Sequence, residues 1–124
     1  MDRAQTRILI QGVRNSDGQV ACALFSSADG FPSEQDKAIH GKVLSAKAGT
    51  IEFEFEGVPH GQYAISVLHD ENNNGRLDTN ILGMPREGYG VSGNAFRRFG
   101  PPRYPEALID LGPGAAVVIP MRYP

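Results

Sequence analysis

The sequence predicts an all-β protein, a single Greek-key-like β-sandwich of about seven strands with one long ordered loop. Three observations carry this. Several short segments alternate apolar and polar residues with period two, the pattern of a strand with one dry face. Gly 15 and Pro 9 in 124 residues favour turns over long helices. The strand-like segments are also spaced as a sandwich requires, with turn residues between them.

The elements follow in chain order. "TRILIQGV", from Thr6 to Val13, is rich in apolar residues and suits a buried strand. "RNSDGQ" follows, and its Asp17-Gly18 dipeptide signals a hairpin between Val13 and Val20. "QVACALFSS" is the next buried strand. "SSADGFPSEQDKAIHG" is polar and predicts a short helical turn from Ser33 to Ala38, with Ser33 as its cap. "KVLSA" is a weaker strand candidate. "TIEFEFEG" is the clearest strand, with Ile51, Phe53 and Phe55 facing the core and Glu52, Glu54 and Glu56 facing water. "GVPHGQY" turns the chain into "QYAISVLH", where Tyr63, Ile65 and Val67 share a face. After a long excursion come "EALIDL", a turn at Gly112 to Gly114, and "AAVVIPMRY", whose Pro120 places it at an edge or a bulge. The expected core is Ile8, Ile10, Val20, Cys22, Leu24, Ile51, Phe53, Phe55, Tyr63, Ile65, Val67, Val117 and Ile119.

The length fits one domain over residues 1–124, large enough to fold without disulfides. The single cysteine, Cys22, reads as a small buried hydrophobe. A net charge of −2 without a basic run argues against nucleic-acid binding. No apolar run approaches the roughly 20 residues that cross a bilayer. "MDRAQTR" lacks the apolar centre of a signal peptide, and Met1 is either natural or stands where a leader was removed.

The excursion runs from about residue 70 to 105 and shows no clean strand or helix pattern. Loops of more than about 15 residues in a compact domain are usually functional or disordered. Tyr89, Phe96, Phe99 and Tyr104 favour an ordered, packed loop here. It opens with "HDENNNGRLDTN". Against the calcium pattern D-x-[DN]-x-[DN]-G, Asp70 takes position one, Asn72 three, Asn74 five and Gly75 six. Arg76 stands at seven, where a backbone carbonyl serves, and Asp78 at nine. Ca²⁺ takes about six to eight hard oxygens at about 2.3–2.6 Å, and alternate residues of a tight loop can supply them. Position twelve is Ile81 where an EF-hand has Glu, and the flanks are not helical. The reading is therefore a calcium loop on a β-scaffold, completed by Glu87, with Asn80 behind it, or by water. The competing reading is a polar turn built on Asn74-Gly75, since Asx residues bond their own backbones.

"GQYAISVLHDENNNGRLDTNILGMPREGYGVSGN", from Gly61 to Asn94, resembles the signature of an uncharacterised bacterial family, a domain of unknown function. The likeness is dense there and looser towards the early "GQVACALFSS" and the last strand. It implies a prealbumin-like or Ig-like sandwich and an exported, periplasmic or secreted protein. It implies no activity. Asp70, Asn72, Asn74 and Asp78 lie on the motif, and Glu87 and Tyr89 in its second half.

The other chemistry-bearing residues are weaker signals. His40, His60 and His69 match no zinc spacing, and His60 reads as solvated. Ser92, His69 and Asp70 are triad residue types, but geometry defines a triad. "NAFRRFGPPRY" sets arginines among aromatics. Tyr89, Phe96, Arg97 and Arg98 would form a partner or small-ligand surface if exposed together, and otherwise pack over one end of the sandwich. The leading functional reading is a non-catalytic extracytoplasmic binding or accessory module stabilised by Ca²⁺. The alternatives are a hydrolase using the polar loop end and a metal-free spacer domain.

Overall fold

The structure, a computed structural model, describes residues 5–32, 34–71, 88–93 and 102–123. Among these residues are eight strands: β1 (Thr6–Val13), β2 (Gln19–Phe25), β3 (His40–Ser45), β4 (Gly49–Phe55), β5 (Gly61–Asp70), β6 (Tyr89–Val91), β7 (Leu108–Leu111) and β8 (Ala116–Pro120). One helical turn, α1 (Tyr104–Ala107), precedes β7. The strands form two sheets, and the protein is a β-sandwich. The first sheet runs β4-β1-β8 and the second β3-β2-β5, with β6 and β7 sharing the far edge of β5.

Alternation puts one face of each strand into the space between the sheets. Ile8 and Ile10 of β1 meet Val20, Cys22 and Leu24 of β2, Ile51, Phe53 and Phe55 of β4, and Tyr63, Ile65 and Val67 of β5. Burying each large apolar side chain stabilises the fold by about 1.5–3 kcal/mol. Val117, expected in this core, is only half-buried against it, because β8 lies at the rim of its sheet. Burial without a partner pushes the Cys22 thiol far up, so it stays protonated and inert.

The second sheet also buries much of its outer face, while β3 at its edge stays largely exposed. The outer face carries Ala23, Phe25, Ala64, Leu68, Tyr89 and Val91, with Ala107 of α1, Phe31 and Tyr104 packed on them. Phe31 meets Phe25 and Tyr104 edge-on, at centroid distances of 5.4 and 5.9 Å. Ser66 on this face donates to the Pro32 carbonyl at 2.6 Å and so pins the overlying segment. That segment holds a 3-10 turn at Gln35–Lys37, led by Glu34 without a side-chain cap bond. The expected cap, Ser33, lies outside the described residues.

Two connections differ from the sequence reading. Asp17-Gly18 does make a turn, but β1 and β2 lie in different sheets and do not pair. The turn is an arch over the sandwich, because the dipeptide specifies a reversal and not a partner. β1 instead pairs antiparallel with β4 and parallel with β8, so the β2–β3 hairpin is bracketed in Greek-key fashion. The excursion also contains β6, a strand of three residues and too short to show a period.

The sheets meet at one side. Tyr89 N–H donates to the Arg122 carbonyl at 3.0 Å, and Arg122 N–H returns the bond at 2.8 Å. The next antiparallel partner of β6 would be Pro120, which has no N–H, so the ladder stops there. A cleft of about 100 Å³ opens at that point between Val91 and Val118.

Candidate functional site

The polar end of β5 is built from four parts of the chain. The odd residues of β5 face the core, so His69 follows Tyr63, Ile65 and Val67 inward and is fully buried. Asp17 supplies only a carbonyl there, so His69 Nε2–H donates to it, at 2.8 Å. In the neutral ring this leaves Nδ1 as the acceptor for the Tyr123 hydroxyl, at 2.7 Å. The same hydroxyl accepts from Arg14 N–H at 3.0 Å. Burial pushes the Tyr123 hydroxyl above its ordinary range, which keeps it a neutral donor.

Glu71 stands one residue beyond β5. Arg14 grips it through Nη2–H to Oε1 at 2.6 Å and Nε–H to Oε2 at 3.1 Å, a two-pronged pair. Asn15 Nδ2–H adds a third bond, to Oε2 at 2.6 Å. The Arg14 guanidinium bonded to it holds the Glu71 carboxyl below its usual range, with Asn15 adding to the effect. The guanidinium also lies 4.4 Å over the Tyr123 ring. A β-carbon on Gly88 would collide with the Tyr123 ring. Gly88 also accepts from His69 N–H at 2.9 Å.

Asp70 is the last residue of β5 and is 5 % exposed. It pairs with Gln19 across the ladder, and its backbone carbonyl lies where a Gly18 side chain would begin. Of the expected metal ligands, Asp70 is the one that the structure describes. Asn72, Asn74, Arg76, Asp78, Asn80 and Glu87 lie outside the described residues. Among the described residues, no three His, Cys, Asp or Glu side chains converge as a metal cluster.

Tyr89 is 6 % exposed, packed with Leu68 and Val91 on the outer face of the second sheet. The exposure that a partner surface requires of it is not met, because β6 places it in that layer. Phe96, Arg97 and Arg98 lie outside the described residues.

The triad residue types do not assemble. Ser92 is 2 % exposed and its Oγ is spent on the backbone, donating to the Ala107 carbonyl at 2.6 Å and accepting from Ile65 N–H at 2.8 Å. His69 turns to Asp17 and Tyr123, and Asp70, the next residue on the strand, points to the opposite face. His60 is exposed, as its turn implies. Sequence reasoning passed over Arg14, Asn15, Glu71 and Tyr123. The one early signal was His69 itself, a polar residue in step with the core face of a strand.

No helix among the described residues is long and apolar enough to cross a membrane. No curated protein and no solved structure matches the chain. A family model does match, over residues 8–118, which takes in most of both sheets and the polar end of β5 apart from Tyr123. The chain therefore belongs to the DUF2141 family, described as uncharacterized protein conserved in bacteria.

Proposed function

We propose that this protein is a non-catalytic binding or accessory module whose Asp70–Asp78 loop takes up Ca²⁺. The observation that carries the reading is the spacing Asp70, Asn72, Asn74, Gly75, Asp78 placed directly at the end of a strand. A strand end delivers the first carboxylate from a fixed backbone, and the acids and amides that follow supply hard oxygens of the kind Ca²⁺ takes. Glu87 completes the set, with Arg76 contributing its carbonyl. The grip on Glu71 and Gly88 supports the reading, since a loop with fixed ends loses less freedom on closing round an ion.

The surrounding scaffold is read as prealbumin-like, and the module as periplasmic or secreted. Calcium is plentiful outside the cytoplasm, and a weak site is useful only there. Phe96, Arg97 and Arg98 are the proposed contacts for a protein or small-ligand partner. Calorimetry on metal-stripped protein tests the calcium reading. Heat saturating at about one ion per chain supports it. No heat at millimolar calcium would leave the loop a polar turn and the domain a spacer.

A further inference from the structure

We propose that the outer face of the first sheet docks a segment of another protein that presents lysine or arginine beside apolar side chains; the proposal stands apart from the calcium reading. The two sheets differ in how their outer faces are covered. The second has Phe31, Tyr104 and Ala107 laid over it. The described residues form no such apolar layer over the first, where Val118 is 52 % exposed. Register arranges this face in columns. Glu52, Leu9 and Val118 stand side by side in one row, and Glu54, Arg7 and Ala116 in the next. The flank on β4 is therefore acidic, and the flank on β8 is apolar.

The acidic flank is short of cations. Glu52 and Glu54 are two apart on one strand, so both carboxylates leave the same face. Among the described residues neither forms an ion pair, although Arg7 lies across the ladder from Glu54. The two carboxyls are close enough to share a proton, and that bond from Glu54 raises the Glu52 carboxyl above its usual range. A cation laid between them turns the repulsion into attraction. A second copy of the chain does not supply one. Sheets stacked with aligned strands place a two-fold axis across the strands or along them. Across, acidic column meets acidic column. Along, the acids lie over the copy's apolar column and the middle column, with its arginine, meets itself. A foreign basic and apolar segment satisfies both flanks at once. Its cations seat on Glu52 and Glu54, and its apolar side chains take Val118 and Leu9 out of water.

The test uses the full chain in chelator, which makes its outcome independent of the calcium reading. The probe is a synthetic amphipathic peptide of leucine and lysine. Companion peptides carry glutamate for lysine or serine for leucine. Calorimetry measures affinity, and amide shifts in magnetic resonance spectra locate the contact. The leucine–lysine peptide is expected to move the amides of Leu9, Glu52 and Val118 and to leave those of Phe25 and Leu68 in place. Glu52→Gln with Glu54→Gln is expected to bind it about tenfold more weakly, as loss of close opposite charges does. Asp36→Asn with Asp110→Asn makes the same change in net charge at exposed sites of the other sheet's side, and a change under about twofold is expected. Val118→Thr keeps the shape and trades a methyl for a hydroxyl, and binding about threefold weaker is expected. Should the paired glutamine variant not fold, Glu52→Gln decides, and unchanged affinity in it overturns the proposal. Equal weakening in the Asp36 and Asp110 variant overturns it, since net charge alone then draws the peptide. Equal binding of either companion peptide overturns it too. So do shifts confined to the second sheet, no binding of the leucine–lysine peptide, or a wild-type dimer that Val118→Thr dissociates.

Discussion

Ser92 and Ala107 are joined by a 2.6 Å hydrogen bond from hydroxyl to carbonyl across the interruption between β6 and β7. The same hydroxyl accepts from Ile65 N–H, so one side chain takes the place of the missing ladder. Ser92→Ala leaves a buried N–H and a buried carbonyl each short of a partner. The cost of such unsatisfied groups is about 1–3 kcal/mol. Urea unfolding should show a lower midpoint with an unchanged slope; a midpoint equal to wild type would mean that water replaces the hydroxyl.

Gly18 is a second point of dependence. Its φ is +68°, and a β-carbon there would run into the Asp70 carbonyl. Gly18→Ala therefore meets backbone strain and a backbone collision together, in a turn that also carries the Asp17 carbonyl bonded to His69. The expected loss is about 1–3 kcal/mol, the cost of a residue held in a sparsely populated conformation. A thermal melt within a degree of wild type would contradict the tight approach of this turn to β5.

The Arg14–Glu71 pair predicts a pH dependence of defined sign. The Glu71 carboxyl has a lower pKa folded than unfolded, so the folded state favours its charged form. Its contribution is fully present above the unfolded value, near 4.3 for a model glutamate. It is lost as pH falls through the folded value. Part-exposed pairs contribute about 0.2–1 kcal/mol, and the two-pronged geometry with Asn15 favours the upper end. Glu71→Gln should therefore melt roughly 1–5 °C lower than wild type at neutral pH. The two curves should converge in acid. A constant gap from pH 7 down to pH 2 would show that Glu71 acts through packing and not through charge.

The proposed calcium loop carries a stability prediction, since an ion bound only by the folded state stabilises it by mass action. At about 1 mM free calcium and a Kd of about 0.1 mM, the gain is roughly 1.4 kcal/mol. In a domain of this size it raises melting by roughly 3–7 °C. Asp70→Ala removes the first carboxylate and should abolish the shift. Glu87→Gln should reduce it if Glu87 reaches the ion. Melts of wild type and Asp70→Ala, each with calcium and with chelator, decide the matter, and the reading fails if calcium leaves the wild-type curve where chelator does.

Much of this architecture is written in period two. "TIEFEFEG" announces β4 because glutamates and phenylalanines cannot exchange faces without burying charge, and "TRILIQGV" matches β1 from Thr6 to Val13. Pairing is less legible. Asp17-Gly18 specifies a reversal, yet whether the next strand lies beside the first or across the core depends on contacts far along the chain. β6 escapes notice because three residues cannot display a period. Ser92 carries no sequence mark, since its hydroxyl replaces a ladder that only the folded sheet defines. The Tyr123–Gly88 contact joins a tail to a mid-chain glycine, and local spacing holds no record of it. The glutamate and arginine that hold the site's edge look like ordinary surface charges until the fold sets them 2.6 Å apart.

The parallel pairing of β1 with β8 also governs when the protein can exist. Arg7 lies opposite Ala116, and Ile10 opposite Ile119. β1 leaves the ribosome well before its partner β8 and therefore waits for it. Until β8 emerges, β1 has one open edge, and its apolar residues depend on β4 alone for cover within their sheet. Such long-range closure is slow compared with hairpin formation. A nascent chain cut short before residue 116 should stay unfinished and sticky, a substrate for chaperones, however well its second sheet has formed.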